Sequence, residues 1–322
     1  MRNELIKEIV IGSKSAVYCK SYQFEKEDMI MFKKNYEIVE DAPQAISWDN
    51  YYKKAKEEYL NLLSTSGDDE KAFQKFFENN PAFMPGAFEL LGESGHYPYP
   101  LALVTQPNIG DLMFKRIPDF IWLAQDSLHF CPVLIEIEKP NKKTFTEKGV
   151  QSSEFSQALN QIYEWKTILS QPENVLNFYN YFNVPLEMRE KKFSPQYGLI
   201  YGRRSEYEGN TDLTRKRAEL VPNDVALISY DRIITMASSK YEDLLCCKIS
   251  NRKYHVLTVP PTFRYGPHLV CDLLNVNGFK EAVSDMKMTT EDRKRFLLER
   301  YDYWVNYASL KQRGIIHTSD RE

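Results

Sequence analysis

Three acidic residues lie in a short part of the sequence whose pattern favours β-strands. Glu136 and Glu138 end the apolar run VLIEIE, and Asp119 lies near the start of the preceding apolar run IPDFIWLA. Because side chains alternate faces along a strand, Glu136 and Glu138 point to one face, and the two isoleucines beside them point into a core on the other. Two carboxylates on one buried face repel each other and lose water, a cost that a divalent cation would remove. The pattern therefore predicts a carboxylate site for a hard cation such as Mg²⁺.

An ordinary strand end also accounts for part of this pattern. Surface strands often end in charged residues, and Pro140 begins a loop directly after Lys139. In that interpretation Glu136, Glu138 and Lys139 are simply solvated.

The position of Asp119 depends on how its strand pairs with the strand of Glu136. A tight turn centred on Asp126 would leave the two acids about three residues, or roughly 10 Å, out of register. A turn centred at Ser127–Leu128, or a bulge at Pro132, would bring them side by side. The sequence leaves both arrangements open.

Composition excludes several classes of protein. The chain has 322 residues and a formal net charge of −3, whereas a small nucleic-acid-coating module is usually basic. An enzyme with an acidic centre and a local basic groove remains compatible with this charge. The five cysteines form no CxxC pair and the five histidines no HxxxH pair, so neither a disulfide framework nor a zinc site is indicated. No apolar run approaches ~18 residues, which predicts a cytoplasmic protein that does not enter the membrane.

Hydrophobic periodicity divides the chain into two parts. Residues 1–47 read as a small strand-rich segment, followed by a helix over 48–63 that Ser47 can cap. The polar stretch 64–69 is the best domain boundary, so residues 1–65 form a candidate regulatory or oligomerising module and residues 66–322 the main domain. In that domain, helices are predicted over 70–81, 154–169, 174–184 and 291–310, and strands over 117–124, 128–138, 196–202 and 225–229. This alternation predicts an α/β fold.

Several motifs occur in order along residues 66–310. They are EKAFQKFFENNP (70–81), PDF (118–120), IEIEKP (135–140), SQALNQIYEW (156–165), GLIYGRR (198–204), ISYDR (228–232), TVPPTF (258–263) and FLLERYDYW (296–304). Together they resemble the PD-(D/E)xK nuclease superfamily and, within it, the Shedu anti-phage nuclease domain. The resemblance implies a restriction-endonuclease-like core, in which helices flank a mixed central sheet.

The resemblance also implies roles for individual residues. Asp119 and Glu136 match the metal-binding acids, and Glu70 matches a supporting acid on the first helix. Gln157 and Gln161 lie where the superfamily often has glutamine on the helix that follows the core strands. An ordinary helix-surface position is the alternative interpretation of Gln161.

One position departs from the superfamily's pattern. The lysine expected two residues after Glu136 is replaced by Glu138, and Lys139 lies next to it. Either Glu138 serves as an extra metal ligand or base, or Lys139 turns into the site where the strand breaks before Pro140.

The implied reaction is hydrolysis of DNA phosphodiester bonds with Mg²⁺, for which Mn²⁺ can substitute. Lys142, Lys143, Arg203 and Arg204 are candidates for contacts to backbone phosphates, although each basic stretch can also be a solvated face. The resemblance further implies a homo-oligomer, a dimer or tetramer, in which the N-terminal region restrains the nuclease.

Two other classes of function fit the same residues. The first is a catalytically inactive DNA-binding or sensor protein that keeps the nuclease fold, which the missing lysine at 138 motivates. The second is an assembly subunit of a defence complex, built around residues 1–60. Metal-dependent cleavage separates the first from a nuclease, and the mass of the assembly before and after truncation tests the second.

Overall fold

In the part of the chain that the structure describes, a nine-stranded mixed sheet forms the centre of the protein. The computed structural model describes residues 34–88, 95–107, 117–310 and 314–322. Along the sheet the strand order is β6-β5-β3-β2-β1-β7-β8-β9, and β4 also pairs with β3. The strands are β1 (Ala102–Thr105), β2 (Phe120–Gln125), β3 (His129–Ile137), β4 (Lys192–Phe193), β5 (Gln196–Ile200), β6 (Val225–Ile228), β7 (Leu245–Ser250), β8 (Lys253–Thr258) and β9 (Val276–Asn277).

Helices flank this sheet, which confirms the predicted α/β class and is compatible with a restriction-endonuclease-like core. The helix predicted from residue 48 begins where Ser47 accepts a hydrogen bond from the amide of Asn50. The helices are α1 (Trp48–Thr65), α2 (Glu70–Asn79), α3 (Ser153–Leu169), α4 (Pro172–Tyr181), α5 (Leu186–Arg189), α6 (Thr211–Ala218), α7 (Tyr230–Met236), α8 (Val270–Leu273), α9 (Phe279–Ser284) and α10 (Glu291–Ser309). Among the described residues, no helix combines the length and apolar composition that crossing a membrane requires.

The two faces of the sheet pack against different helices. Leu134 of β3 belongs to an apolar cluster with Ile162 of α3. Its neighbours Ile135 and Ile137 belong to a second cluster, with Phe77 of α2. The alternation predicted for the strand is therefore present, and Glu136 points to the same side of the sheet as Leu134 and α3.

The predicted break at residues 64–69 falls in the turn between α1 and α2. Across this turn the ring of Tyr59 in α1 lies 6.1 Å from that of Phe73 and 5.1 Å from that of Phe76, both in α2. Helix α1 thus shares an aromatic core with the first helix of the main domain.

The N-terminal segment differs from the prediction in the part that the structure describes. Residues 1–33 of the predicted strand-rich segment lie outside the described residues. Residues 34–47 contain no strand, so the apolar run Tyr36–Val39 was wrongly expected to contribute one. Its backbone bonds to side chains instead. The amide of Val39 donates to Glu322 Oε2 at 2.9 Å, and the Glu37 carbonyl accepts from Arg300 at 2.9 Å.

The β2–β3 hairpin has the register that brings the acids together. Its last paired residues are Phe120 and Ile135, so one further step places Asp119 opposite Glu136. The pairing is continuous through Pro132, without a bulge, and the turn is centred at Ser127–Leu128. Of the two arrangements that the sequence allowed to bring the acids together, the shifted turn is the one present.

Asp126 fixes this turn. Its Oδ1 accepts hydrogen bonds from the amides of Leu128 and His129, at 2.7 and 2.6 Å, and its own amide donates to the His129 carbonyl. We expect Asp126→Ala to lower the free energy of unfolding by about 1–2 kcal/mol, because two turn amides lose their acceptor. Leu128→Ala is the matched control. This side chain is exposed, and its loss should change stability by less than about 0.5 kcal/mol in the same urea titration. Equal effects would contradict this role for Asp126.

Candidate active site

Asp119 and Glu136 form the centre of the candidate site. Asp119 lies just before β2, where its carbonyl accepts a hydrogen bond from the amide of Gln106 at 2.8 Å. Its side chain reaches across the hairpin, and Oδ2 accepts a hydrogen bond from the amide of Ile137 at 2.9 Å. The carboxylate is thereby fixed beside the end of β3.

Glu136 is a buried carboxylate near the end of β3, a strand with neighbours on both sides. Only 7% of its surface is exposed. The Gln161 amide on α3 donates a hydrogen bond to it, whereas its Oε2 is buried without a hydrogen-bond partner. Burial raises its pKa well above the ordinary glutamate value, and the negative charges of Asp119, Glu138 and Glu70 raise it further. Such an orphaned oxygen is costly unless a proton or a cation satisfies it.

The carboxyl of Asp119 is also buried near other negative charges. Burial raises its pKa to about 7, and the charges of Glu70 and Glu138 add to the shift. The hydrogen bond from the Ile137 amide acts in the opposite direction. Two neighbouring carboxyls with raised pKa values in a buried place are typical of functional sites.

Glu138 and Glu70 complete the acidic group. The amide of Glu138 continues the sheet by donating to the Ile200 carbonyl at 3.0 Å, and the Tyr230 hydroxyl donates to the Glu138 carbonyl. Glu70, in the first turn of α2, is half-buried. Burial raises its pKa and the charge of Glu138 adds to this, while Lys142 and Lys139 lower it.

Lys142 forms an ion pair with Glu138. Its Nζ is 2.6 Å from Glu138 Oε2 and 3.9 Å from Glu154 Oε1. The chain turns back between the two, because the amide of Lys142 donates to the carbonyl of Lys139 at 3.1 Å with Pro140 next in the turn. Proline suits this second position of a β-turn.

The other predicted site residues are exposed or have other partners. Gln157 is exposed, one turn before Gln161 on α3, and Lys143 and Arg204 are also exposed. Arg203 donates to both carboxylate oxygens of Asp231, with Nη2 2.8 Å from Oδ1 and Nε 3.1 Å from Oδ2. This pairing leaves Arg203 with fewer donors for a phosphate than Lys143 or Arg204 has.

The chemistry of the donor set fits a hard divalent cation, although the acids do not form a closed cage. Within the ranges that the structure describes, no three His, Cys, Asp or Glu side chains form a group that could hold a metal ion as they stand. Asp119 Oδ2 faces the Ile137 amide and Glu138 Oε2 faces Lys142. The orphaned Glu136 Oε2 is the observation that fits a cation, since Mg²⁺ often takes only one or two protein carboxylates and fills its remaining positions with water and phosphate.

Sequence reasoning missed three of these contacts. The pairing of Lys142 with Glu138 had a local signal, because Pro140 favours a turn that returns the chain. The hydroxyl of Tyr230 and the ion pair of Arg203 with Asp231 had none, since each joins segments that are distant in sequence.

Comparison with known proteins adds one finding. A model of the family described as Shedu protein SduA, C-terminal, matches residues 67–234, just over half of the chain. The matched segment contains the acids and basic residues discussed above, whereas the motifs at 258–263 and 296–304 lie beyond it. Among proteins with curated descriptions, none matches the chain.

Proposed function

This chain belongs to the Shedu protein SduA C-terminal family, which implies a role in anti-phage defence, and we propose that it hydrolyses phosphodiester bonds of DNA in a metal-dependent reaction. The reaction centre would be Asp119 and Glu136. The observation that carries the proposal is the buried, unpartnered Oε2 of Glu136. It lies among acids whose charges already raise its pKa.

The residues of the site have distinct parts in this proposal. Asp119 and Glu136 would hold Mg²⁺, or Mn²⁺ in its place, with Gln161 orienting the Glu136 carboxylate. When bound, the ion would supply charge neutralisation at the phosphate and a more acidic water. Glu70 would add negative charge from α2, and a lysine beside the end of β3 would position the attacking water. Lys143 and Arg204, both exposed, would contact backbone phosphates.

The proposed reaction balances without a further reactant. A water oxygen forms a bond to phosphorus, and the bond from phosphorus to one ester oxygen breaks. The water loses a proton and the leaving oxygen gains one, so the products are one phosphate monoester end and one hydroxyl end. The chain's own contribution is to hold the carboxylates in a fixed place, which avoids reorganisation during the reaction.

A cleavage assay tests the proposed function. Supercoiled and linear DNA are incubated with the full chain in Mg²⁺, in Mn²⁺ and in EDTA. We expect cleavage in both metals, none in EDTA, and a loss of about 10²–10³-fold in Asp119→Asn, because one of the two central carboxylates loses its charge. Asp302→Asn is the matched control, since this acid of α10 has 76% of its side chain exposed, lies outside the candidate site and should keep wild-type activity.

Two outcomes would refute a nuclease function. One is the absence of cleavage by the wild type in either metal, and the other is equal cleavage by wild type and Asp119→Asn. In the second case the cleavage would not depend on the Asp119 carboxylate, and the proposed site would be wrong.

A non-catalytic DNA-binding or sensor protein is the alternative function. It is favoured by one observation, namely that the acids in the described residues do not form a ready metal site. Such a protein should bind DNA equally well in EDTA and in Mg²⁺, cleave neither form, and tolerate Glu136→Gln without loss of binding.

A further inference from the structure

We propose that Lys142 supplies the ammonium group that the sequence lacks at position 138, and that Glu138 anchors this lysine instead of binding a metal. The proposal rests on the proposed function, which it deepens by assigning the cationic group of the site. It also assigns the role of the cationic group to Lys142, which lies beyond the end of β3, and not to Lys139.

Lys142 and Glu138 are in direct contact. Lys142 Nζ lies 2.6 Å from Glu138 Oε2, and only 21% of the Lys142 side chain and 10% of that of Glu138 are exposed. A short contact between two largely covered groups persists better than a surface ion pair. Because Oε2 of Glu138 is engaged, this carboxylate is a poorer candidate for the metal than Glu136, whose Oε2 has no partner.

Backbone contacts hold Lys142 in this position. The turn after Pro140 is tied to the loop before α2, since the amide of Asn141 donates to the Gly67 carbonyl at 3.1 Å. On the other side Gly202 has a φ of +68°, and a Cβ built there would lie 3.0 Å from the Lys142 carbonyl oxygen. Glycine thus allows a close approach that a side chain would obstruct.

Lys139 differs from Lys142 in its contacts. The structure gives Lys139 no ion pair with Asp119, Glu136 or Glu138, all of which lie in the described part of the chain. Its carbonyl closes the turn by accepting the amide of Lys142. Lys139 thus acts on Glu70 only through its charge, whereas Lys142 directly contacts an acid of the site.

The chemistry follows from the donor count of an ammonium group. Lysine has three N–H donors, so the bond to Glu138 leaves donors for a phosphate oxygen or for the attacking water. A positive charge fixed before the reaction stabilises negative charge that develops on the phosphate, and does so without rearrangement.

The test compares Lys142→Met with its neighbour Lys139→Met in two measurements. The first is DNA cleavage in Mg²⁺, where we expect a loss of about 10²-fold for Lys142→Met, and less than about threefold for Lys139→Met. Lys142→Arg should recover part of the activity. Circular dichroism of each variant checks that it is folded.

The second measurement is calorimetric titration of each protein with Mn²⁺ in the absence of DNA. Loss of the Lys142 charge removes a repulsion and releases the Glu138 carboxylate, so Lys142→Met should bind Mn²⁺ about tenfold more tightly than wild type. Lys139→Met should change the affinity by less than about twofold. Glu138→Gln added to Lys142→Met should reverse most of the gain.

The two measurements separate failure of this proposal from failure of the proposed function. If the wild type cleaves no DNA, the nuclease function fails and the Mn²⁺ titration alone decides the role of Lys142. The proposal is overturned if Lys142→Met leaves Mn²⁺ binding unchanged, or if Lys139→Met has the larger effect.

Discussion

Replacing Glu136 by glutamine is expected to abolish DNA cleavage and, in the absence of metal, to stabilise the fold. Cleavage should fall by about 10³-fold, because the substitution keeps the shape but removes the charge that a cation requires. The melting temperature of the metal-free protein at pH 8 should rise by on the order of 5 °C, because a buried carboxylate no longer has to ionise in the folded state. Calorimetric melting with and without EDTA measures the second effect.

The buried carboxyls also predict how the stability of the metal-free protein changes with pH. Burial raises the pKa of Asp119 to about 7 and that of Glu136 in the same direction, so the folded state retains protons that the unfolded state loses near pH 4. The stability of the metal-free protein should therefore fall as the pH rises from about 4 to 7, and Mn²⁺ should restore it above pH 7. Glu136→Gln should flatten this slope.

A matched comparison isolates the site from other buried acids. Burial also raises the pKa of Asp243 to about 6 and that of Asp272 to about 7, and both contribute to the slope in wild type and variant alike. The difference between the two proteins therefore reports on Glu136 and its neighbours. If Glu136→Gln lowered the melting temperature at pH 8, Glu136 would not be a buried carboxylate whose charge destabilises the metal-free protein.

The second large effect is expected at Arg293, which is not part of the candidate site. This side chain in α10 is 1% exposed. Its guanidinium donates to backbone oxygens of Pro43, Phe263 and Glu322, at 2.9, 2.8 and 3.1 Å. We expect Arg293→Met to lower the free energy of unfolding by about 3–5 kcal/mol, because three backbone oxygens lose their donor together.

Arg295→Met is the control for Arg293. Arg295 lies on the same helix, its side chain is 67% exposed, and it pairs with an exposed Asp292. Its replacement should change stability by less than about 0.5 kcal/mol. Chemical denaturation measures both variants, and limited proteolysis shows whether the Arg293 variant also releases the chain near Pro43. A loss below 1 kcal/mol for Arg293→Met would mean that water replaces the lost donor.

How much of the site the sequence could predict is clearest at the hairpin. Alternation in VLIEIE was enough to predict that Glu136 and its flanking isoleucines point to opposite faces. It could not place Asp119, because the register depends on a turn in which Asp126 binds two backbone amides. That turn has a recognisable residue type, but its centre shifts by a residue with little change in the pattern.

The features that the sequence did not reveal share one cause, which is contact between distant segments. Arg203 reads as a phosphate ligand until Asp231 is seen beside it, 28 residues later. The run Tyr36–Val39 reads as a strand, yet Arg300 and Glu322 provide the partners that a neighbouring strand would have provided. Local periodicity carries no information about such partners.

The central sheet extends beyond the segment that matches the family. The matched residues end at 234, yet β1 pairs in parallel with β7, from Ala102 beside Leu245 to Thr105 beside Lys248. A fragment cut at the limit of the match would expose an open strand edge of the kind that invites aggregation. The matched segment is thus smaller than the unit that folds together, and the C-terminal strands cover an edge that this segment alone would leave open.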